Sequence, residues 1–268
     1  MGVVTWVINR SSAERMAALR TGRENLVDAV LRLGDRLILS EDDGSVPDAH
    51  LVSDDDPVIL HGGHRLLEWV IERYPHLERG AYHGPEVLGY VAVSEQLGDI
   101  CLNHGARLVR REDVTRRLLA GERVFARPAL CEKAFPGRIW GPDDVETSLA
   151  WPDLEIVMND PVAIAAEYRF VIISGEVVTG SQYARSGRLD IRLDTDPACR
   201  DLAAEAAGIY APCDAFICDV AETEDGPKVV EYNSFSAAGL YACDGGEIVR
   251  AMGEMVREKT FFPELMFT

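Results

Sequence analysis

The sequence of 268 residues predicts an α+β protein with a small α/β lobe at its N-terminal end. Two observations lead to this prediction. Short apolar runs alternate with helical patterns in the first part of the chain, whereas the later part has the pattern of antiparallel hairpins. The hydrophobic content of 47% is that of a globular protein. We expect three units, 1–104, 105–160 and 161–268, that pack together without long linkers.

The charge and the hydropathy of the chain exclude two broad classes of function. The formal net charge is −18, which argues against general nucleic-acid binding because such binding depends on basic surface. No apolar run approaches the roughly 18 residues of a membrane span. The six cysteines form neither a CxxC pair nor a zinc-ligand spacing. With a first strand where a signal peptide would stand, we expect reduced thiols in a cytoplasmic protein.

The first unit alternates predicted strands with helical segments. Thr21-x-x-Glu24 resembles a capping box, which predicts that a helix starts there, and helical material follows again at 63–74. This alternation indicates a small α/β lobe. The predicted strands span 3–9, 36–39 and 57–61.

The motif His61-Gly62-Gly63-His64 ends the third predicted strand. We interpret it as a tight turn at a strand end, and close approach of its backbone to a substrate is a second interpretation. Metal binding by the two histidines would need a third ligand, which the nearby sequence does not offer. The chain contains neither G-x-G-x-x-G nor a P-loop motif.

The second unit combines a predicted helix at 114–119 with two predicted strands, 123–127 and 154–158. The first of these strands is ended by Pro128, which opens a loop rich in Pro and Gly. The second strand leads into Asn159-Asp160-Pro161, a typical turn signal.

Two hairpins dominate the third unit. In the first, over 163–183, Ser174-Gly175 forms a plausible two-residue turn. In the second, over 216–233, a three-residue loop at 224–226 would end with glycine and pair Thr223 with Pro227. The remaining predicted helices span 197–210 and 245–258.

That register places three oxygen-bearing side chains on one face of the second hairpin. Asp219 falls opposite Glu231, and Asn233 projects on the same side because side chains alternate along a strand. Like charges opposite each other are destabilising, so the arrangement predicts a cation, and oxygen ligands suit Mg²⁺. The alternative is an edge ribbon with solvated acids. The apolar flanks of the hairpin favour a buried sheet.

Taken in order, the chain offers cations, an apolar strand with a turn, a Glu/Arg pair and then Asp…Glu-x-Asn. This order resembles the ATP-grasp superfamily, and more closely its compact clade in which arginine replaces the first phosphate-binding lysine. The resemblance covers roughly 57–245. It is most specific in three segments: FARPALCEKAFPG, EYRFVIISGEVVTGSQY and ICDVAETEDGPKVVEYNSFSAAGLY.

The resemblance implies an ATP-grasp fold in which two α+β lobes enclose ATP beside the small N-terminal α/β lobe. Arg127 and Lys133 would hold phosphates, since a guanidinium bridges two oxygens and an ammonium acts as a point charge. The strand backbone near Val157 would receive the adenine, and Asp160 would receive the ribose hydroxyls. The full nucleotide-binding set that it implies is Arg127, Lys133, Glu155, Val157, Asp160 and Glu167.

The resemblance also implies the catalytic, metal and substrate residues. Arg169 would face the γ-phosphate and the reacting carboxyl, with Lys133 as the second catalytic cation. A structural Glu–Arg pair is the alternative role for Glu167. The implied ligands of Mg²⁺, or of Mn²⁺ in its place, are Asp219, Glu231 and Asn233. The substrate contacts would come from Tyr183, Arg185, Ser234, Ser236 and Tyr241.

The function implied is that of an ATP-dependent carboxylate–amine ligase. It would form an amide or peptide bond through an acyl phosphate, with release of ADP and phosphate, and its substrates would be a small carboxylate and an amine, such as an amino acid or a peptide. We keep three alternatives: a kinase on the same fold, a non-catalytic nucleotide sensor, and a zinc module at His61 and His64. The sequence leaves the identity of the substrates and the oligomeric state open.

Overall fold

The computed structural model describes residues 2–84, 86–129 and 134–261. Within these ranges the chain forms twelve strands in three sheets, together with eight α-helices and several short 3₁₀ turns. The mixture confirms the predicted α+β class. Among the described helices, none combines the length and the hydrophobicity needed to cross a bilayer.

The N-terminal lobe is built on a parallel sheet of three strands in the order β2-β1-β3. The predicted capping box is wrong, because the helix starts later, where Asn25 accepts a hydrogen bond from the Asp28 backbone N–H (3.0 Å). Glu24 instead forms an ion pair with Arg32 (2.6 Å). The elements are β1 (Thr5–Asn9), α1 (Arg10–Ala18), α2 (Leu26–Arg32), β2 (Arg36–Ser40), β3 (Val58–His61), α3 (His64–Arg73) and α4 (Tyr90–Leu97).

The central lobe has an antiparallel sheet of four strands in the order β4-β7-β5-β6. An aromatic core of its own supports this sheet, in which Phe135 stacks on Trp151 (ring centroids 3.8 Å apart, planes 5° apart) and Trp140 packs against both. The elements are β4 (Arg107–Val109), α5 (Arg111–Leu119), β5 (Val124–Pro128), β6 (Arg138–Trp140), α6 (Val145–Leu149) and β7 (Ile156–Asn159).

The C-terminal lobe has an antiparallel sheet of five strands in the order β10-β9-β8-β11-β12. The predicted Ser174-Gly175 turn is confirmed, and both residues have positive φ angles (51° and 79°), as a two-residue hairpin turn requires. The elements are β8 (Ile164–Ile173), β9 (Glu176–Arg185), β10 (Arg188–Arg192), α7 (Pro197–Ile209), β11 (Ala215–Thr223), β12 (Gly226–Ser234) and α8 (Gly245–Phe261).

The β11–β12 hairpin has a shorter loop than predicted, but Asp219 and Glu231 lie opposite each other as predicted. Thr223 pairs with Gly226 and not with Pro227, so only two residues form the turn. A β-bulge then adds Val230 to β12, and beyond it Asp219 lies opposite Glu231. The one-residue error at the turn is therefore cancelled by the extra residue of the bulge.

The N-terminal and C-terminal lobes share one hydrophobic core. Trp6 and Ile8 of β1 belong to the same buried cluster as Ile217 of β11 and Met252 of α8. The core of the central lobe is a separate cluster, formed by side chains from α5 and from its own sheet. The central lobe therefore has a main core of its own, and a small cluster of Tyr90, Ala129 and Val157 joins it to α4.

Candidate active site

A cavity of about 890 Å³ lies between the sheet of the central lobe and the sheet of the C-terminal lobe. Its volume is in the range of small-molecule and cofactor sites. Apolar side chains such as Phe125, Ile139 and Val230 form much of its wall, and Arg127 and Glu231 are among its polar groups. An apolar cavity with a few convergent charged groups is the usual form of a ligand site.

The three predicted metal ligands lie together: Glu231 and Asn233 line the cavity, and Asp219 is buried next to them. Arg169, Asp219 and Glu231 occupy directly paired positions on three adjacent strands, β8, β11 and β12. Asn233 lies two residues beyond Glu231 and donates through Nδ2 to Asp219 Oδ2 (3.2 Å) and to Glu231 Oε1 (2.9 Å). Sheet register therefore brings the two carboxylates and the amide together.

Arg169 and Asp219 form a buried, bidentate ion pair. Arg169 Nε and Nη2 donate to the two carboxylate oxygens of Asp219 (2.8 and 2.6 Å), and Nη1 donates to the Gly239 carbonyl (2.6 Å). The side chains of the pair are 9% and 1% exposed. Burial raises the pKa of Asp219, while the charge of Arg169 counteracts that increase.

Arg127 and Glu231 form a second ion pair, which spans the two lobes. Arg127 lies on β5 of the central lobe and donates through Nη1 to Glu231 Oε2 on β12. Burial tends to raise the pKa of Glu231, but Arg127 and the hydrogen bond from Asn233 outweigh it and hold that pKa below its ordinary value. Glu231 is therefore an anion in neutral solution.

Glu167 faces both ion pairs from β8. Its Oε2 accepts a hydrogen bond from the Tyr183 hydroxyl (2.8 Å), and both residues line the cavity. Burial raises the pKa of Glu167, and the negative charges of Asp219 and Glu231 add to that increase. The predicted Glu/Arg element thus reaches the site, but Arg169 pairs with Asp219 and Glu167 pairs with a tyrosine.

The predicted substrate contacts Ser234 and Ser236 do not face the cavity. Both are buried, and both bind the backbone of Tyr82 in the N-terminal lobe: Ser234 Oγ donates to the carbonyl (2.8 Å), and Ser236 Oγ accepts from the N–H (2.9 Å). The Ser236 carbonyl also accepts from the N–H groups of Gly62 and Gly63 (2.8 and 3.3 Å). The two serines therefore make structural contacts between the C-terminal lobe and the N-terminal lobe.

The His61-Gly62-Gly63-His64 motif joins β3 to α3 and takes part in that contact. Gly63 has a φ of 114°, which only glycine adopts readily, so the predicted tight turn is confirmed. His61 is buried beside Phe235, and burial lowers its pKa to about 4. His64 lines the cavity, in agreement with the second interpretation of the motif.

The predicted adenine strand is placed differently from the expectation. Val157 is fully buried against Tyr90 and Ala129, in a strand that pairs on both sides with β4 and β5. Glu155 precedes that strand, its side chain is exposed, and its carbonyl accepts from the Ala129 N–H (2.9 Å). The backbone of a central strand is occupied by its neighbours, so it is not available to a base.

The segment after β7 lines the cavity in place of the strand. Asp160, Val162 and Ala163 all contribute to its wall, and the role of Asp160 at the ribose hydroxyls stays a prediction. Its carboxylate accepts from Arg117 Nη2 (3.0 Å) and is 79% exposed. Sequence reasoning missed Arg117, because nothing in its local pattern indicates that it pairs with Asp160, 43 residues later in the chain.

Two more predicted residues stand apart from the group. Arg185 is exposed at the end of β9, where it donates to Gln182 Oε1 (3.1 Å), although the next residues, Ser186 and Gly187, line the cavity. Lys133 lies outside the described residues. Asn103, which is buried and lines the cavity, carries no sequence signal that would have identified it.

The oxygen donors fit a Mg²⁺ ion that is bound together with a phosphate ligand. Such ions take one or two protein carboxylates and fill the remaining positions with phosphate oxygens and water. Asp219 and Glu231 supply two carboxylates, and Asn233 adds an amide. In the described part of the chain, no group of three or more His, Cys, Asp or Glu could hold a metal alone. This also argues against a zinc module at His61 and His64.

Comparison with known proteins agrees with this geometry. A sequence model of a domain family, described as the ATP-grasp domain of family 2 in the arginine-for-lysine clade, matches residues 106–251, just over half of the chain. No curated protein sequence matches the chain.

Several solved structures share the fold over nearly the whole chain. D-cycloserine synthetase DcsG is 14% identical, with a TM-score of 0.61, and the match covers 95% of this chain and 100% of that one. A RimK domain ATP-grasp protein from Sphaerobacter thermophilus is 17% identical, with a TM-score of 0.59 and coverages of 93% and 98%. The ATP-grasp ligase PsnB with a minimal precursor is 12% identical, with a TM-score of 0.55 and coverages of 95% and 99%. At these identities the likeness shows the fold.

Proposed function

The chain belongs to the ATP-grasp domains, in family 2 of their arginine-for-lysine clade, and from that premise we propose that it is an ATP-dependent ligase that joins a carboxylate to an amine. In the proposed reaction, a carboxylate oxygen of the substrate attacks the γ-phosphate of ATP and gives an acyl phosphate and ADP. The amine then attacks the acyl carbon, and phosphate leaves as the amide forms. Phosphoryl transfer of this kind depends on positioning and charge neutralisation more than on covalent help from the protein.

A single observation carries the proposal: two arginine–carboxylate pairs lie side by side where two sheets enclose a cavity. Arg127 and Glu231 line the cavity, and Asn233 links Glu231 to the buried pair of Arg169 and Asp219. A triphosphate with its metal carries both signs of charge and needs both kinds of partner. Catalysis by Ser or His is not required by such a site.

Each charged group has a proposed role in the reaction. Arg127 would release Glu231 and bind phosphate oxygens, while Glu231, Asp219 and Asn233 would hold Mg²⁺. When bound, Mg²⁺ neutralises charge on the phosphates. Arg169 stays paired with Asp219 and offers its remaining N–H groups to the acyl phosphate and to the oxyanion that forms when the amine attacks. Lys133 remains the proposed second phosphate cation.

The similar structures support the proposed ligands. One PsnB structure contains Mg and ADP, and another contains a precursor peptide and AMPPNP. DcsG is named as a synthetase of D-cycloserine. We extend from these names to a small amino acid or a peptide as the carboxylate or amine substrate of this chain.

The proposal is tested by incubating the purified protein with Mg-ATP, hydroxylamine, and pools of amino acids, small dicarboxylates and short peptides. ADP and hydroxamate are measured together. A hydroxamate that forms from one pool in step with ADP is the expected result. ADP without a hydroxamate contradicts the ligase and favours a kinase, and the absence of both products with all pools contradicts both enzymes.

Two variants of the same hairpin provide the control. Glu231→Ala removes a proposed metal ligand and should abolish ADP formation while the protein stays folded. Glu224→Ala removes an exposed acid from the turn and should leave ADP formation unchanged. Equal activity in the two variants contradicts the assignment of the metal site.

A further inference from the structure

A stacked pair of tyrosines lies against the guanidinium group of Arg169. The rings of Tyr183 on β9 and Tyr241 after β12 are nearly parallel, with centroids 5.0 Å apart and planes 8° apart. Arg169 Cζ lies 5.4 Å from the Tyr183 centroid and 5.0 Å from the Tyr241 centroid. Both distances are within the range of cation–π attraction.

Tyr241 occupies this place with an unfavourable backbone conformation. Its φ is 47°, in the left-handed region that residues other than glycine seldom adopt. Its neighbours in the chain are held on both sides: the Gly239 carbonyl accepts from Arg169, and the Ala242 N–H donates to Ser181 Oγ (3.3 Å). A strained residue that is fixed by its surroundings is a feature of functional sites.

Some of the N–H groups of Arg169 donate to residues of the protein, and the others remain available to a ligand. A guanidinium has five N–H groups. Two of them bind Asp219 and a third binds Gly239, so two are left that no described residue accepts. The direction of these two groups depends on the orientation of the guanidinium plane.

We propose that Tyr241 is a positioning residue, whose ring face fixes the guanidinium plane of Arg169 together with Tyr183. The two remaining N–H groups of Arg169, one on Nη1 and one on Nη2, are thereby held in fixed directions, and an anionic oxygen of the substrate binds there. The identity of that oxygen as part of an acyl phosphate rests on the proposed function. The proposal that Tyr241 fixes the guanidinium plane is independent of the proposed function.

The two tyrosines contribute in different ways. Tyr183 binds Glu167 through its hydroxyl as well as stacking on Tyr241. In the described part of the chain, the Tyr241 hydroxyl has no hydrogen-bond partner, so its ring alone carries the effect. Loss of the Tyr241 hydroxyl should therefore be harmless, and loss of its ring should not.

The variants follow from this difference. Tyr241→Phe keeps the ring and removes the hydroxyl. Tyr241→Asn removes the ring but places a residue that tolerates a positive φ, so backbone strain does not grow. Tyr210→Asn is the matched control, because Tyr210 stacks on Tyr232 (ring centroids 6.3 Å, planes 6° apart) and its cation–π contacts among the described residues include no arginine.

The first measurement is the side-chain NMR spectrum of protein labelled with ¹⁵N-arginine, with Arg169→Lys to assign the signal. We expect Arg169 to show ring-current-shifted Nε–H and separate Nη–H signals, which report a guanidinium that does not rotate. Tyr241→Asn should shift the Nε–H signal and merge the Nη–H signals, whereas Tyr241→Phe and Tyr210→Asn should leave them unchanged. An unchanged Arg169 spectrum in folded Tyr241→Asn overturns the proposal.

The second measurement is the rate of ADP formation with the substrate pool identified above. Misplacement of a catalytic group by about 1 Å costs about a hundredfold in rate, so Tyr241→Asn should lower kcat by about a hundredfold and leave KM for ATP within about twofold. An equal loss in Tyr241→Phe, or a change in KM alone, overturns the proposal. If the parent protein forms no ADP, the proposed function fails, and the NMR result still decides the role of Tyr241.

Discussion

Two arginine–carboxylate pairs lie next to each other, one lining the cavity and the other buried, and they are built in opposite ways. Arg169 and Asp219 pair within a single sheet, with two parallel hydrogen bonds and almost no exposure (9% and 1%). Arg127 and Glu231 pair between two lobes, through one nitrogen, with 15% and 26% of the side chains exposed. Sheet register holds the first pair, and only the relative position of the lobes holds the second.

The difference teaches which charges are fixed and which are exchangeable. At Asp219 the effect of burial is larger than that of the neighbouring cations, so the pKa is raised. At Glu231 the effect of the cations is larger than that of burial, so the pKa is lowered. A buried pair cannot lose one member without leaving a bare charge in the interior. A partly exposed pair between lobes can exchange its partner for a phosphate or a metal at little cost.

The largest expected effect is on stability. Asp219→Asn should lower the free energy of unfolding by about 3–5 kcal/mol, because it leaves the buried Arg169 charge unpaired. Glu231→Gln breaks the exchangeable pair and should cost about 1 kcal/mol or less. Urea unfolding of both variants at pH 7 measures the difference. Equal losses would remove the distinction between the two pairs.

A smaller effect is expected on nucleotide binding without metal. Glu231→Gln frees Arg127 and removes a negative charge that repels the phosphates. In the presence of EDTA, ATP should therefore bind this variant about tenfold more tightly than the parent, a gain of about 1.4 kcal/mol in binding free energy. Addition of Mg²⁺ should then improve ATP binding less in this variant than in the parent. Calorimetric titration measures both affinities.

Glu224→Gln is the matched control for that titration, since Glu224 is exposed in the turn of the same hairpin. Its affinity for metal-free ATP should equal that of the parent. Tighter binding in Glu224→Gln as well would show that general charge repulsion, and not the release of Arg127, produces the effect.

The smallest effect concerns Glu167, which faces both pairs. Its pKa is raised by burial, so the folded state holds the proton more firmly than the unfolded state. The stability that Glu167 contributes is therefore present below the ordinary glutamate pKa of about 4.3, and it is lost as the pH rises through the folded-state pKa.

Glu167→Gln carries no charge at any pH and keeps an acceptor for Tyr183. The free energy of unfolding of the parent minus that of Glu167→Gln should decrease from pH 4 to pH 7, as measured by urea unfolding at each pH. A difference that grows with pH would mean that Arg169 and not burial controls Glu167.

Local chemistry made much of the C-terminal lobe predictable. The Ser174-Gly175 turn follows from a glycine between two apolar strands, and the metal face follows from strand alternation. The face at Glu231 was nevertheless obtained through two compensating errors, a loop one residue too long and an unseen bulge at Val230. A bulge leaves no reliable mark in the sequence, since its extra residue is an ordinary strand former.

Several other expectations depended on contacts far along the chain. Ser234 and Ser236 look like substrate contacts, yet their hydroxyls bind Tyr82, about 150 residues earlier. Val157 lies in a central strand whose neighbours only the sheet order reveals. The pairing of Arg127 with Glu231 likewise joins two sheets, and no periodicity within either segment encodes it.

The shared core has a mechanical consequence for the cavity. Because the N-terminal and C-terminal lobes share a core that includes Trp6, Ile217 and Met252, they pack as one unit. The main core of the central lobe is separate, and a small cluster of Tyr90, Ala129 and Val157 joins this lobe to α4. Arg127 lies on the central lobe and Glu231 on the C-terminal lobe, so the distance between these two side chains reports any change in the separation of the two lobes.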